Sequence, residues 1–106
     1  YLCVWNWTTM ELIRKINLGR EFHPSFVMHP NTYMNKVLVG SATGKLQLWN
    51  IRTGSLIMDF KGYSNGISFM EQAPTVDIVA IGLENGEIDV LNLKYDKVEI
   101  GMLFQL

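Results

Sequence analysis

Gly40-Ser41-Ala42-Thr43-Gly44-Lys45-Leu46-Gln47-Leu48-Trp49-Asn50 reads as the end of one strand, a tight turn, and a strand that closes on Trp-Asn. Lys45 to Trp49 alternates polar and apolar at period two, which marks a strand with two unlike faces. The same ending occurs at Val4-Trp5-Asn6 and again at Val90-Leu91-Asn92, so the Trp5, Trp49 and Leu91 positions are spaced by 44 and 42 residues. Gly40 and Gly82 are 42 apart, and so are Gly44 and Gly86.

Self-similarity at about 40–45 residues with a Trp-Asp-like ending is the signature of a β-propeller blade, a four-stranded sheet that must stack on neighbours to bury its faces. The units divide accordingly. Residues 36–40 and 45–49 form the second and third strands of one unit, preceded by a short apolar strand at 25–28 and followed by an outer strand at 56–60. In the next unit the strands fall at 66–70, 77–82, 87–91 and 98–104. The Asn85-Gly86 pair between the middle two is a strong hairpin signal, because both residues tolerate positive φ. Residues 1–5 and 12–16 supply the last two strands of an earlier unit. The expected fold is all-β, a partial propeller: residues 1–18 end one blade, 19–60 form a second and 61–106 a third. A whole propeller of four or more blades needs at least about 160 residues, so the 106 residues read as a piece of a longer protein. Trp5, Asn6, Gly40, Gly44, Trp49, Asn50, Gly62, Gly82, Gly86 and Asn92 are the repeat-defining positions, with Trp5 and Trp49 expected to be buried between sheets. Trp7 lies in a turn and is the better candidate for an outside contact.

Hydrophobic residues make up 48 % of the chain, enough for a packed core, and the net charge is −1. Six lysines and three arginines are scattered among ten acidic residues. A nucleic-acid-binding surface calls for a basic stripe, which is missing here. No apolar run approaches the roughly 18 residues of a membrane span. The single Cys3, between Leu2 and Val4, reads as a buried structural thiol with no internal disulfide partner.

Several apparent chemical motifs dissolve on inspection. Gly40-Ser41-Ala42-Thr43-Gly44-Lys45 has three residues between its glycines, where a phosphate loop has four, and a strand follows it where a phosphate loop has a helix. His23 and His29 stand six apart without a Cys or carboxylate at ligand spacing, so they read as loop histidines. No nucleophile–base pair is visible in local sequence. No cofactor, metal or small-molecule ligand is expected, and binding is the expected work of the loops. On one face these are residues 41–45, 61–65 and 83–87; on the other, 31–35 and 72–76.

The residues resemble the WD-repeat propellers. Phe60-Lys61-Gly62-Tyr63 stands where that family usually has Gly-His, and Gly40-Ser41 through Trp49-Asn50 matches its second and third strands. The chain departs from the family's buried His, Ser/Thr, Trp and Asp network: Tyr63, Ile81, Leu91 and Asn85 stand at those places in the last unit, and Val39, Thr43 and Trp49 in the middle one. Apolar packing is therefore expected to replace the network. The stretches 29–36, 44–50 and 72–83 are similar, including loop residues such as Tyr33 and Gln72-Ala73-Pro74, to a narrower family of WD-repeat subunits of the eukaryotic small-subunit processome. That resemblance implies a non-catalytic nucleolar scaffold for pre-rRNA processing. Its partners would be UtpB subunits and other processome proteins in an RNA-containing assembly, reached through protein contacts instead of direct RNA contact and without a membrane. A general WD-repeat adaptor, in a ubiquitin-ligase or trafficking assembly, is the alternative.

Overall fold

The computed structural model describes the backbone of residues 1–103 and the side chains of residues 1–97. Among the described residues there are ten strands: β1 Leu2–Trp5, β2 Leu12–Ile16, β3 Pro24–Met28, β4 Lys36–Ser41, β5 Leu46–Asn50, β6 Ser55–Asp59, β7 Ile67–Gln72, β8 Ile78–Leu83, β9 Glu87–Asn92 and β10 Lys97–Leu103. They form three antiparallel sheets: a first of β1-β2, a second of β3-β4-β5-β6 and a third of β7-β8-β9-β10. The architecture is thus a partial β-propeller, the end of one blade followed by two four-stranded blades. Strand limits move by a residue or two from those read in the sequence. Pro24 opens β3, where its missing N–H costs nothing, and β7 runs on to Gln72 because Glu71 and Gln72 still pair with Ala80 and Val79. Of the predicted outer strand, Phe104 lies outside the described residues.

Period-two alternation sends each strand's side chains to two different neighbours. In β4, Val39 packs with Ile16, Leu18 and Phe22 against the first sheet, whereas Leu38 points the other way. Leu38, Leu46 and Leu48 meet Val79, Ile81 and Leu91 of the third sheet in the larger core. Leu38, Leu46, Val79 and Ile81 have no accessible surface. Each such aliphatic side chain contributes about 1.5–3 kcal/mol by leaving water. Gly40 permits this approach, since a Cβ there would stand 2.8 Å from Ile67 Cγ2.

The inner strands share a device that the sequence reading did not pick out. Pairing of β3 with β4 slips between Pro24 and Phe26, and pairing of β7 with β8 slips between Ile67 and Phe69. The residue left over in each bulge is a serine. Ser25 Oγ donates to the Gly40 carbonyl at 3.3 Å, and Ser68 Oγ donates to the Gly82 carbonyl at 3.1 Å. Ser25 Oγ also reaches the Ile67 carbonyl, tying the inner strand of one sheet to that of the next.

Two expectations are corrected. Trp5 is 58 % exposed and Cys3 is exposed. Both project from the face of β1 that points away from the second sheet, and no other sheet among the described residues covers that face. Trp49 is half-buried between the first two sheets, its Nε1 donating to Gln47 Oε1 at 3.1 Å.

Candidate interaction faces

Antiparallel order sends the loops out at two ends of the sheets. At one end lie the β4–β5 and β8–β9 hairpins and the linkers between sheets. They are stitched together: Ala42 N donates to His23 O at 2.8 Å, Tyr63 N to Gly44 O at 2.8 Å, and Glu84 N to Gly66 O at 2.9 Å. Gly44, at φ +93°, is required here, because a Cβ would stand 2.1 Å from the Tyr63 carbonyl oxygen. Gly62 lies against the same turn, and Gly86, at φ +90°, closes the β8–β9 hairpin. Ser41 Oγ accepts from Lys45 N at 2.9 Å and bonds Thr43 Oγ1 at 3.1 Å. The stretch that resembles a phosphate loop is therefore a hairpin turn between β4 and β5, followed by a strand and not a helix. No large hydrophobic side chain is exposed in residues 41–45, 61–66 or 83–87.

The opposite end is built from the β3–β4 and β7–β8 loops and the β1–β2, β5–β6 and β9–β10 turns. Asn6, Asn50 and Asn92 each end a third strand, and each accepts with Oδ1 from the backbone N–H two residues on, at 2.9, 2.9 and 3.1 Å. Such Asx turns explain why an amide closes each repeat. Ile51 N donates to Asn35 O at 2.7 Å and Leu93 N to Asp77 O at 2.8 Å, pinning each loop to its neighbouring turn by the same bond. Asn35 and Asp77 both have positive φ, at 60° and 70°. Immediately before them, Met34 and Val76 project into solvent, as do Trp7, Met10 and Tyr95 from the turns. One end is thus polar and the other carries rigidly held apolar tips.

The two blades are latched at this second end. Asn31 N donates to Gln72 Oε1 at 2.8 Å. Tyr33 donates its hydroxyl to the Asp77 carboxylate, and burial together with that bond pushes its pKa up to about 12. Gln72 Nε2 also donates to the carbonyls of Ala73 and Ile78, at 3.0 Å each. The latch residues were visible only as loop content; nothing in their 41- and 44-residue separations announces a contact. Between the blades, burial raises the Tyr63 pKa above the ordinary phenol range, and the charges of Asp89 and Asp96 add to this. Among the described residues its hydroxyl is buried without a hydrogen-bond partner. Asp89 is raised by burial first and by Glu87 second.

Among the described residues, no three His, Cys, Asp or Glu side chains are placed to hold a metal ion, and no helix is long and apolar enough to cross a membrane. His23 and His29 are exposed loop residues.

Residues 1–103 match the family described as the WDR36/Utp21 first beta-propeller. The chain belongs to this family. It is 38 % identical over 97 residues to human WD repeat-containing protein 36, which covers 91 % of this chain and 11 % of that protein. It is 41 % identical over 69 residues to the U3 small nucleolar RNA-associated protein 21 homolog of Schizosaccharomyces pombe, covering 64 % of the chain and 8 % of that protein. Against U3 small nucleolar RNA-associated protein 21 of Saccharomyces cerevisiae the identity is 35 % over 71 residues, 67 % of the chain and 8 % of that protein. The chain therefore spans about a tenth of the length of these relatives. In fold it is similar to the computationally designed Ika8 protein, with a TM-score of 0.74 at 23 % identity over 94 % of this chain and 30 % of that one. The designed Ika4 protein gives 0.65 at 21 % identity, over 80 % of this chain and 50 % of that one. At these identities the likeness concerns the fold alone.

Proposed function

We propose that this chain is part of the first propeller of a non-catalytic scaffold subunit of the small-subunit processome, acting in the nucleolus in pre-rRNA processing and small-subunit biogenesis. Its blade units are residues 1–18, 19–60 and 61–106, and the repeat positions from Trp5 to Asn92 hold them in shape. The family membership supports this reading, together with two relatives named for association with U3 small nucleolar RNA. The observation that carries the mode of action is the loop end bearing Met34, Val76 and Tyr95. Exposed apolar tips on pinned backbone suit protein contact. The near-neutral charge argues against a phosphate-gripping surface, which would need clustered Lys and Arg. Partners are accordingly other processome proteins, UtpB subunits among them.

The test is to replace Met34, Val76 and Tyr95 with serine in the full-length parent protein, then measure association with U3 RNA and maturation of small-subunit rRNA. Weakened association with an intact fold is expected. Co-purification with a ubiquitin ligase or a vesicle coat, and no U3 association of the unaltered protein, would replace the reading by that of a general adaptor.

A further inference from the structure

Resting on the protein-contact reading above, we propose that the groove between the second and third sheets is a docking site for an extended, acidic and apolar peptide segment of a protein partner. The groove encloses about 410 Å³, within the range of sites that bind ligands. Its floor is Leu48, Ile57, Met58 and Leu93, and its rim carries Lys36 and Lys94. Ile57 is 46 % exposed although it stands on a strand beside a core. Among the described residues no carboxylate lines the groove, and Asp77, which meets the lining residue Tyr33, is occupied by its hydroxyl. Lys94 Nζ lies 5.5 Å from the Tyr95 ring, which keeps the ammonium at the rim without neutralising it.

Two features select the occupant. The floor asks for large apolar side chains and the rim for carboxylates. In addition, β6 pairs only with β5 among the described residues, so its outer N–H and C=O groups are open to an added strand. Strand addition supplies affinity through the backbone while alternate side chains enter the groove. An RNA strand matches these features less well: two lysines are no charge cluster, and Tyr33, the one aromatic side chain lining the groove among the described residues, has its hydroxyl tied to the Asp77 carboxylate.

The experiment uses the full-length parent protein and three fluorescent octapeptides: alternating Asp and Leu, alternating Asp and Ser, and alternating Lys and Leu. The Asp/Leu peptide is expected to bind and the other two not to. Lys36→Glu with Lys94→Glu should weaken binding roughly tenfold or more. Lys36→Arg with Lys94→Arg should retain it, and Ile57→Ser should weaken it with the charge unchanged. Equal binding by the charge-reversed protein, or no binding of the Asp/Leu peptide, overturns the proposal. So does displacement of that peptide by a uridine-rich oligonucleotide in a lysine-dependent manner, which would make the groove an RNA contact. Co-precipitation of U3 RNA is measured in parallel. Normal U3 association without peptide binding removes the groove alone; peptide binding without U3 association removes the processome reading and leaves the groove.

Discussion

Gly44 and Gly82 show how differently two glycines at related turns and strands can matter. A Cβ on Gly44 meets backbone, the carbonyl oxygens of Tyr63 and Asn65 at 2.1 and 2.6 Å, and the φ of +93° is itself strained for any L side chain. A Cβ on Gly82 would stand 1.9 Å from Phe69 Cε1, a ring that can turn away. Gly44→Ala should therefore cost more than about 2 kcal/mol in the whole propeller, with no single side-chain truncation restoring it. Gly82→Ala should be largely rescued by Phe69→Leu. Urea unfolding of the two single variants and the double variant checks both statements. Asp89 makes a second residue-scale case. Its raised folded-state pKa means that the folded protein holds the proton more tightly than the unfolded chain. Ionising it costs stability as pH rises from the unfolded value through the folded one, and the cost persists at neutral pH. Asp89→Asn should melt above the unaltered protein at pH 7, and the difference should vanish below about pH 4.

At the level of strands and loops, the latch between the blades is the part that can be cut without touching a core. Tyr33→Phe removes the bond to Asp77 and leaves the ring in place. The expected loss is about 1 kcal/mol, less than the roughly 1.5–3 kcal/mol of a hydrogen bond to a charged group because the pair is partly solvated. The sign of its pH dependence is that of Asp89, moved to alkaline pH. The Tyr33 pKa is raised, so its contribution is complete below pH 10 and disappears as pH climbs towards about 12. Tyr33→Phe should abolish that part of the alkaline loss, which paired melts at pH 8 and pH 11 would show. Elements of this kind mark the limit of what the chain discloses one residue at a time. Strands were legible because alternation around Trp49 and the 42-residue step are local or periodic. The bulge serines were within reach, since Ser25-Phe26 and Ser68-Phe69 recur 43 apart. The Tyr33–Asp77 and Asn31–Gln72 bonds were not, because they depend on how two sheets dock. Nor was the exposure of Trp5 and Cys3, because burial of a propeller face is a property of the neighbouring sheet and not of the strand that carries it.

For the molecule as a whole, the repeat itself says what the apolar face of the first sheet is for. Trp5 and Trp7 occupy the places of Trp49 and Ile51 in the second unit and of Leu91 and Leu93 in the third. In those units the side chains are wholly or partly covered by the sheet before: Leu91 and Leu93 are buried, and Trp49 and Ile51 pack against the first sheet. In the first sheet Trp5 and Trp7 remain 58 % and 88 % exposed, with Met10 and Ile13 beside them. An indole covers about 150–250 Å². At about 25 cal/mol/Å² the two together leave on the order of 5–10 kcal/mol of burial unrealised, as an upper bound. That rivals the roughly 5–15 kcal/mol by which a whole domain is stable. Stacked repeats draw stability from both neighbours, so residues 1–106 made alone should self-associate and unfold over a broad temperature range. Light scattering should rise steeply with concentration, and Trp5→Ser with Trp7→Ser should lower it while leaving the melt of the other two sheets unchanged. A monomer with one sharp, cooperative transition would show instead that the two complete blades stabilise themselves without help at that face.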